Sequence, residues 1–189
     1  MNIIIEGMDR TGKDTQIDLL ISKFSDKIFH KLHYTKLPFK DKEHQIKYSK
    51  LLYEEMFNLM DKCNYSNMNL IFNRAHLGEF VYSPKYREYS GDYVFSLERD
   101  WFYKLDSINR FNTFLIVLVN DDYNSLLNRE DGDSLSSKKE DLEYEFNAFS
   151  KAVQYTLIYN TLLINCKDLS IEDVHNLIYE FITKKLHGF

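Results

Sequence analysis

IIIEGMDRTGKDTQIDLL, residues 3–20, is the stretch that decides the fold of this chain. It opens with an apolar run too short to be a helix and closes with apolar residues at helical spacing. Between these two parts, Gly7, Gly12 and Lys13 follow the G-x-x-x-x-G-K pattern of a phosphate-binding loop. Because such a loop must join a buried strand to a helix N-terminus, the stretch predicts an α/β fold that binds a phosphate-bearing ligand.

The residue types of the loop suit a nucleoside triphosphate. Gly7 and Gly12 let the backbone wrap around phosphates without a Cβ clash, and Lys13 supplies a cation for the β- and γ-phosphates. Asp14 stands where serine or threonine normally places a hydroxyl on magnesium, and Thr15 follows it. We therefore expect these five residues to bind ATP. Asp14 either holds Mg²⁺, which we expect to be through water, or caps the helix.

Short apolar runs alternate with amphipathic segments along the chain. Residues 3–5, 70–72, 114–119 and 162–164 are predicted to be buried strands. Apolar residues recur at helical spacing in four segments, namely Ile17, Leu20, Ile21 and Phe24; Leu52, Met56, Leu59 and Met60; Leu142, Phe146, Phe149 and Val153; and Val174, Leu177, Ile178 and Phe181. This alternation predicts a parallel sheet with helices on both faces, and a ligand site at the carboxyl ends of the strands.

Composition limits the classes of function. The 189 residues have the length of one ordinary domain, so we expect residues 1–189 to form a single domain. The formal net charge of −5 argues against a general nucleic-acid binder, and no apolar run approaches the ~20 residues of a membrane span. Cys63 and Cys166 lack CxxC spacing, and the N-terminus lacks a secretory signal. We expect a cytoplasmic protein.

A polar stretch at residues 128–141 follows the fourth predicted strand. It contains Gly132 and three serines. It is either a flexible flap over the ligand site or a solvated connection, and composition leaves both interpretations open.

Two segments carry a closer likeness to known proteins. EGMDRTGKDTQ, residues 6–16, matches a phosphate loop of the form E-G-x-D-R-x-G-K-[ST]-T-Q beyond its glycines and lysine. LIFNRAHLGEFVYSPKYR, residues 70–87, is similar to a strand-end D-R-[YH] segment that is followed by HLGE and VYxPxYR stretches. In these features the chain resembles the thymidylate kinase family, and in particular its bacteriophage deoxynucleotide-kinase branch.

The resemblance implies a P-loop nucleoside-monophosphate-kinase-like fold with a five-stranded parallel sheet and the phosphate-loop strand in its centre. It implies transfer of the γ-phosphoryl group of ATP to a deoxynucleoside monophosphate, with Mg²⁺ as cofactor and dTMP or dUMP as the leading acceptor. It also implies small-molecule nucleotides as partners and a homodimer.

The resemblance also assigns roles to individual residues. Arg74 matches the family arginine that holds the acceptor monophosphate, and a guanidinium fork suits that dianion. Asp9 matches a residue near the sugar of the acceptor. Arg10 matches the loop arginine that stabilises charge on the transferring phosphate. Arg129 falls where the family carries its lid, within residues 128–141.

Asn73 is the main departure, because the family has aspartate there. Asp14 or Glu79 is a candidate to supply the missing carboxylate near the metal or the acceptor. For the nucleobase, the aromatic candidates closest to matched positions are Phe39, Phe80 and Tyr82, although packing in the core is the commoner place for such side chains.

Two rival functions stay open. A deoxynucleoside kinase would need a carboxylate base for the sugar hydroxyl, and Asn73 at the expected place weakens that hypothesis. A nucleotide-binding regulatory protein that has lost catalysis is suggested by the joint departure of Asn73 and Asp14. The presence of Lys13, Arg10 and Arg74 argues against it, because binding alone does not require arginines on both phosphate groups.

Overall fold

The fold is built on a parallel sheet with strand order β2-β3-β1-β4-β5. The computed structural model describes residues 1–34, 41–66, 68–105, 110–129 and 134–187. Within them the strands are β1 (Asn2–Gly7), β2 (Phe29–His33), β3 (Asn69–Asn73), β4 (Thr113–Val119) and β5 (Asn160–Asn165). The predicted five-stranded parallel sheet, with the phosphate-loop strand in its centre, is confirmed.

Seven helices connect and cover these strands within the described residues: α1 (Lys13–Lys23), α2 (Lys42–Tyr65), α3 (His76–Tyr86), α4 (Tyr93–Lys104), α5 (Tyr123–Leu127), α6 (Lys139–Ala152) and α7 (Ile171–His187). All four segments with helical spacing lie in helices, namely α1 with its C-cap Phe24, α2, α6 with its C-cap Val153, and α7. Before α7, the backbone N–H groups of Ser170 and Asp173 each donate to the other residue's side chain, which is a capping box.

Each face of the sheet carries its own apolar core. Ile4 of β1 packs into the cluster that α2, α3, α4 and α6 cover, whereas its neighbours Ile3 and Ile5 pack into the cluster under α1 and α7. Successive side chains of a strand point to opposite faces, so a continuous apolar run feeds both cores. Both helix layers therefore hold β1, and the loop after it, from two sides.

The edge strand β2 and the helices α3 and α4 are absent from the elements predicted by apolar pattern. β2 has the sequence FHKLH, is partly exposed, and pairs with β3 alone. α3 contains Gly78 and Pro84, both of which disfavour a helix interior. No helix in the described part of the chain is long and apolar enough to cross a membrane.

Candidate active site

The loop between β1 and α1, residues 8–12, forms a tight turn that only glycine permits at its start. Gly7 has a φ of 129°, and a Cβ atom there would lie 1.9 Å from the carbonyl oxygen of Leu118 on β4. Gly12 is the N-cap of α1 in the left-handed conformation, with a φ of 83°. The loop thus passes directly over the sheet and delivers the N-terminus of α1 to the carboxyl end of the strands.

The side chain of Lys13, the first residue of α1, folds back onto this loop. Its ammonium group donates hydrogen bonds to the carbonyl oxygens of Gly7 (3.1 Å) and Met8 (2.6 Å), and its side chain is buried. Burial, followed by the positive charge of Arg74, lowers the pKa of Lys13 to about 8. A polyanion placed over the loop would favour the charged form of this side chain.

Two hollows open at the carboxyl end of the sheet and share one wall. The P-loop cleft has a volume of about 240 Å³ and is lined by Arg10, Lys13, Asp14 and Ser134 among others. The aromatic cavity has a volume of about 370 Å³, and its walls include Glu6, Tyr34, Tyr53, Glu79, Tyr82 and Arg87. Asp9 and Arg74 line both hollows. A ligand in each would therefore meet the other at this pair.

Asp9 and Arg74 form an ion pair with an O–N distance of 2.6 Å. Burial acts to lower the pKa of Arg74, but Asp9, Tyr82 and Glu6 together outweigh it and raise that pKa. Arg74 and Arg10 have φ values of 66° and 65°, in the left-handed region that costs a non-glycine residue about 1–3 kcal/mol. The surrounding structure therefore holds both arginines in conformations that their own backbones disfavour.

Asp14 projects from the first turn of α1 with its side chain 68% exposed. The Asn73 amide donates to it at 2.7 Å, and the Lys31 ammonium lies 3.5 Å away. Partial burial acts to raise the pKa of Asp14, but these two partners lower it. The same Asn73 nitrogen lies 3.1 Å from Nδ1 of His33, which lines the aromatic cavity.

This arrangement fits a magnesium ion that arrives with its nucleotide. Mg²⁺ is commonly held by one or two carboxylates together with phosphates and waters, so one ionised, exposed carboxylate at the cleft is sufficient. Asp14 meets that requirement, and the buried Oδ1 atom of Asn73 beside it has no hydrogen-bond partner. Among the described residues no group of three or more His, Cys, Asp or Glu side chains forms a metal cage.

Glu6 fixes α3 against the end of β1. Its buried carboxylate accepts hydrogen bonds from the backbone N–H groups of Ala75 (2.8 Å) and Gly78 (3.2 Å) at the start of the helix. An anion at a helix N-terminus also interacts favourably with the helix dipole. One face of α3, with Ala75, Gly78, Glu79 and Tyr82, consequently forms a side of the aromatic cavity.

A second buried carboxylate, Glu79, is surrounded by donors. The Arg87 guanidinium lies 2.5 Å from its Oε2 atom, and the hydroxyls of Tyr89 and Tyr93 donate to Oε1 at 2.7 and 2.8 Å. Tyr34, which also lines the cavity, stacks on Phe72 with ring centroids 5.9 Å apart. The cavity thus combines flat aromatic walls with two ion pairs, Glu79–Arg87 and Asp9–Arg74.

Residues 134–136, which we term the docking segment, join the P-loop to α6. The Ser134 hydroxyl donates to Asp9 at 3.2 Å, and the Arg10 guanidinium donates to the carbonyl oxygen of Ser136 at 2.6 Å. The Ser136 hydroxyl in turn donates to Glu145, a fully buried carboxylate of α6. Burial raises the pKa of Glu145.

The predicted site residues fall into three groups. Those that line the hollows are Gly7, Asp9, Arg10, Gly12, Lys13, Asp14, Arg74, Glu79 and Tyr82. Thr15 and Arg129 are exposed and line neither hollow. The positive charge of Arg129 acts to lower the pKa of the Cys166 thiol, although burial raises that pKa to about 11. Phe39 lies outside the described residues, as do residues 130–133 of the polar stretch.

Several residues at the site escaped sequence reasoning: Glu6, His33, Tyr34, Tyr53 and Glu145. Glu6 carried a signal, because a charged residue directly before the first loop glycine interrupts an apolar strand. Tyr53 and Glu145 lie on helices whose apolar spacing marks them only as neighbours of the core. Their place at the site depends on contacts between distant parts of the chain.

Comparison with known proteins adds to this geometry. The chain is 30% identical to a thymidylate kinase from Campylobacter lari, and the match covers 96% of this chain and 99% of that protein. No family model matches the chain.

Solved structures share the fold. YorR protein from Bacillus subtilis, in complex with phosphorylated GDP, superposes with a TM-score of 0.68 at 16% identity, over 99% of this chain and 98% of that chain. A thymidylate kinase from Ehrlichia chaffeensis superposes with a TM-score of 0.65 at 15% identity, over the same shares of the two chains. At these identities the likeness concerns the fold.

Proposed function

Because the chain belongs to the thymidylate kinase family and is accordingly a nucleotide kinase, we propose that it transfers the γ-phosphoryl group of ATP to a deoxynucleoside monophosphate, with dTMP or dUMP as the best acceptor. The observation that carries this proposal is the wall shared by the P-loop cleft and the aromatic cavity. A donor triphosphate in the cleft and an acceptor in the cavity would place their phosphates together at Asp9 and Arg74.

Each residue at this wall has a chemical task that suits phosphoryl transfer, which depends mainly on positioning and charge stabilisation. Lys13 binds the donor phosphates from inside the loop. Arg10 stabilises charge on the transferring group, and Arg74 holds the acceptor phosphate as a bidentate donor. Asp9 orients Arg74 and accepts a hydrogen bond from the sugar of the acceptor.

Mg²⁺ would neutralise charge on the donor phosphates when bound. Asp14 is the residue that would hold the ion, directly or through water, and Asn73 keeps the Asp14 carboxylate oriented toward the cleft. His33 and Lys31 complete the surroundings of this carboxylate. Gly7, Gly12 and Thr15 belong to the same ATP site in this proposal.

The proposal extends to the whole chain. Residues 1–189 form one kinase domain, and residues 128–141, with Arg129, act as a lid that excludes water from the transferring phosphate. We also propose a homodimer and membership of the phage branch of the family, on the likeness of residues 70–87 to that branch. Phe39 is included as a candidate contact to the base.

Pyrimidine preference follows from the shape of the cavity. Tyr34, Tyr53 and Tyr82 line a space of about 370 Å³ that also has to hold a sugar and a phosphate. A second fused ring would have to displace side chains that are already packed against the core. A single ring between flat aromatic walls needs no such change.

A coupled assay of ATP turnover tests the proposal with dTMP, dUMP, dCMP, dAMP and dGMP as acceptors, and with thymidine as the nucleoside control. We expect a pyrimidine monophosphate to give the highest kcat/KM and thymidine to give little turnover. A purine monophosphate at the top would refute the thymidylate assignment and spare the kinase. If thymidine is phosphorylated and none of the five monophosphates is, the chain is a deoxynucleoside kinase instead.

A further inference from the structure

Arg74, on the wall shared by the two hollows, is held by one short segment that comprises the end of β1 and the start of the P-loop. Its backbone N–H donates to the carbonyl oxygen of Ile5 at 2.9 Å, and the next N–H, that of Ala75, donates to the Glu6 carboxylate at 2.8 Å. The Arg74 guanidinium pairs with Asp9 at 2.6 Å. This segment therefore holds Arg74 through both adjacent peptide groups and through its side chain.

These backbone contacts matter because Arg74 has a strained conformation. Its φ of 66° lies in the left-handed region, which a residue with a Cβ atom keeps only while its surroundings impose it. Without an acceptor for the N–H of Ala75, the peptide group between Arg74 and Ala75 would be free to rotate. Arg74 would then relax toward an ordinary φ, and its guanidinium would leave its place on the shared wall.

Glu6 supplies from β1 a cap that α3 lacks. The N-cap of this helix is Ala75, whose side chain has no acceptor, although the first N–H groups of a helix need partners from outside it. The Oε1 atom of Glu6 accepts from the N–H groups of Ala75 and, at 3.2 Å, of Gly78. A serine at position 75 would cap the helix without burying a charge, which is costly. Helix capping alone therefore does not explain a carboxylate that is 1% exposed.

We propose that Glu6 is a positioning residue for the acceptor: it holds Arg74 in the left-handed conformation and so fixes the guanidinium where it binds the acceptor phosphate. This inference rests on the proposed function, because it takes Arg74 to bind the phosphate of a nucleoside monophosphate. The buried Nε–H group of Arg74 has no hydrogen-bond partner among the described residues, so this donor is left for a phosphate. A guanidinium binds phosphate through two parallel N–H bonds, and the affinity consequently depends on its direction.

The charge of Glu6 and the position of its oxygen have opposite effects on the acceptor. Glu6 lines the aromatic cavity, so its negative charge repels a phosphate dianion there, and loss of the charge alone would tighten binding. Displacement of the oxygen would instead weaken binding, because Arg74 would lose its direction. Glu6→Asp keeps the charge and withdraws the oxygen by one methylene group. Glu6→Gln loses the charge and keeps an accepting oxygen.

The test measures Tm and two Kd values, one for a non-hydrolysable ATP analogue and one for whichever of the five deoxynucleoside monophosphates has the highest kcat/KM in the wild type. In Glu6→Asp the Kd for the monophosphate should rise by about tenfold or more, and that for the analogue by less than about threefold, because only the acceptor contact is displaced. Glu6→Gln should keep the Kd for the monophosphate within about threefold or lower it. Equal weakening in both variants, or none in Glu6→Asp, refutes the inference.

Ser170→Ala is the matched control. The Ser170 hydroxyl accepts from the N–H of Asp173 at the start of α7, and Ser170 lines neither hollow. Its replacement should lower the Tm, as the loss of a helix cap does, and keep the Kd for the monophosphate. An equal loss of affinity in Ser170→Ala and Glu6→Asp would show a general effect of lower stability and refute the positioning role.

Ala75→Ser, added to Glu6→Asp, guards against a folding artefact. The new hydroxyl can accept from the N–H of Gly78 and so caps α3 locally. It should raise the Tm and leave the affinity for the monophosphate weak, since the N–H of residue 75 still lacks its acceptor. If the serine restores Tm and affinity together, Glu6 only caps the helix and the inference is refuted.

A double-mutant cycle with Arg74→Ala tests whether Glu6 acts through the arginine. In the Arg74→Ala background, Glu6→Asp should change the Kd for the monophosphate by less than about twofold, because no guanidinium is left to misplace. The same tenfold loss in both backgrounds would refute the role. If the wild type phosphorylates a monophosphate and Glu6→Asp keeps its Kd, the inference fails and the proposed function stands. A wild type that phosphorylates none of the five refutes the proposed function and this inference with it.

Discussion

At the scale of single residues, Asn73 and Asp14 show how a departure from a family pattern can be interpreted. The Asn73 amide donates to the Asp14 carboxylate at 2.7 Å, so an aspartate at position 73 would place two carboxylates in contact. Like charges this close raise the pKa of one group or require a cation between them. The two positions therefore act as a pair, with a single negative charge.

We predict that Asn73→Asp makes the protein dependent on Mg²⁺ for stability. In metal-free buffer the repulsion should lower the free energy of unfolding by about 1–2 kcal/mol, which lowers the Tm of a chain of this length by about 2–8 °C. Added Mg²⁺ should restore the Tm and should saturate turnover at a lower concentration than in the wild type. Thermal unfolding with and without Mg²⁺ measures this.

Asn69→Asp is the control for that experiment. Asn69 lies at the opposite end of β3, where its amide donates to the carbonyl oxygen of Ile28, and among the described residues it is hydrogen-bonded to no carboxylate. Its Tm should not respond to Mg²⁺. An equal Mg²⁺ response in both variants would show that residues 14 and 73 are not the metal's surroundings.

Lys13 gives a prediction about pH. Its pKa of about 8 means that the free protein loses this positive charge as the pH rises through 8. Affinity for a non-hydrolysable ATP analogue should therefore fall by up to about tenfold between pH 7 and pH 9, since the anion binds the charged form. Lys13→Arg stays charged over this range and should bind with no such slope. A flat profile in the wild type would contradict the assigned role of Lys13.

At the scale of elements, the features encoded by neighbouring residues were predictable from the sequence, whereas an exposed edge strand and a contact between distant residues were not. The turn from β1 into α1 was predictable, because residues 7–13 carry both glycines and the lysine, and an apolar run and helical apolar spacing flank them directly. β2 was missed because this edge strand, with three of its five residues exposed, has no apolar run. The docking of Ser134 on Asp9 joins positions 125 residues apart, and no spacing along the chain encodes it.

That docking segment gives the next prediction. Ser136→Ala removes the hydroxyl that binds Glu145 and so frees the backbone carbonyl that accepts from Arg10. We expect kcat to fall by about tenfold or more with a smaller change in the KM for monophosphate, because misplacing a transition-state contact by about 1 Å is that costly. Steady-state kinetics with varied acceptor measures both.

Ser137 provides the matched control, since it is the adjacent serine and is exposed. Ser137→Ala should keep wild-type kcat. If Ser136→Ala and Ser137→Ala lose the same activity, the loss reflects the loop in general, and the link from Glu145 to Arg10 has no role in transfer.

At the scale of the whole molecule, the two hollows lie along one edge of the sheet, held by helices from both layers. An adenosine and a thymidine joined by a pentaphosphate should occupy both hollows at once. At 100 times its Kd it should stabilise the fold by about 2.7 kcal/mol and raise the Tm by about 5–10 °C. Arg74→Ala should reduce this shift by much more than it reduces the shift caused by ATP alone, and equal losses for both ligands would contradict the placement of Arg74 on the acceptor side.

Because Asp9 and Arg74 line both hollows, the binding of the donor and the binding of the acceptor are coupled. If bound donor changes the Kd of the acceptor by some factor, bound acceptor must change the Kd of the donor by the same factor. This follows because both orders of binding lead to the same ternary complex. Arg74 is already engaged by Asp9 at 2.6 Å before any phosphate arrives, so the first nucleotide to bind rearranges a contact that the second one also uses. A substitution in the aromatic cavity that changes the preferred acceptor should therefore also change the Kd for the donor, and a substitution in the P-loop cleft should change the Kd for the acceptor.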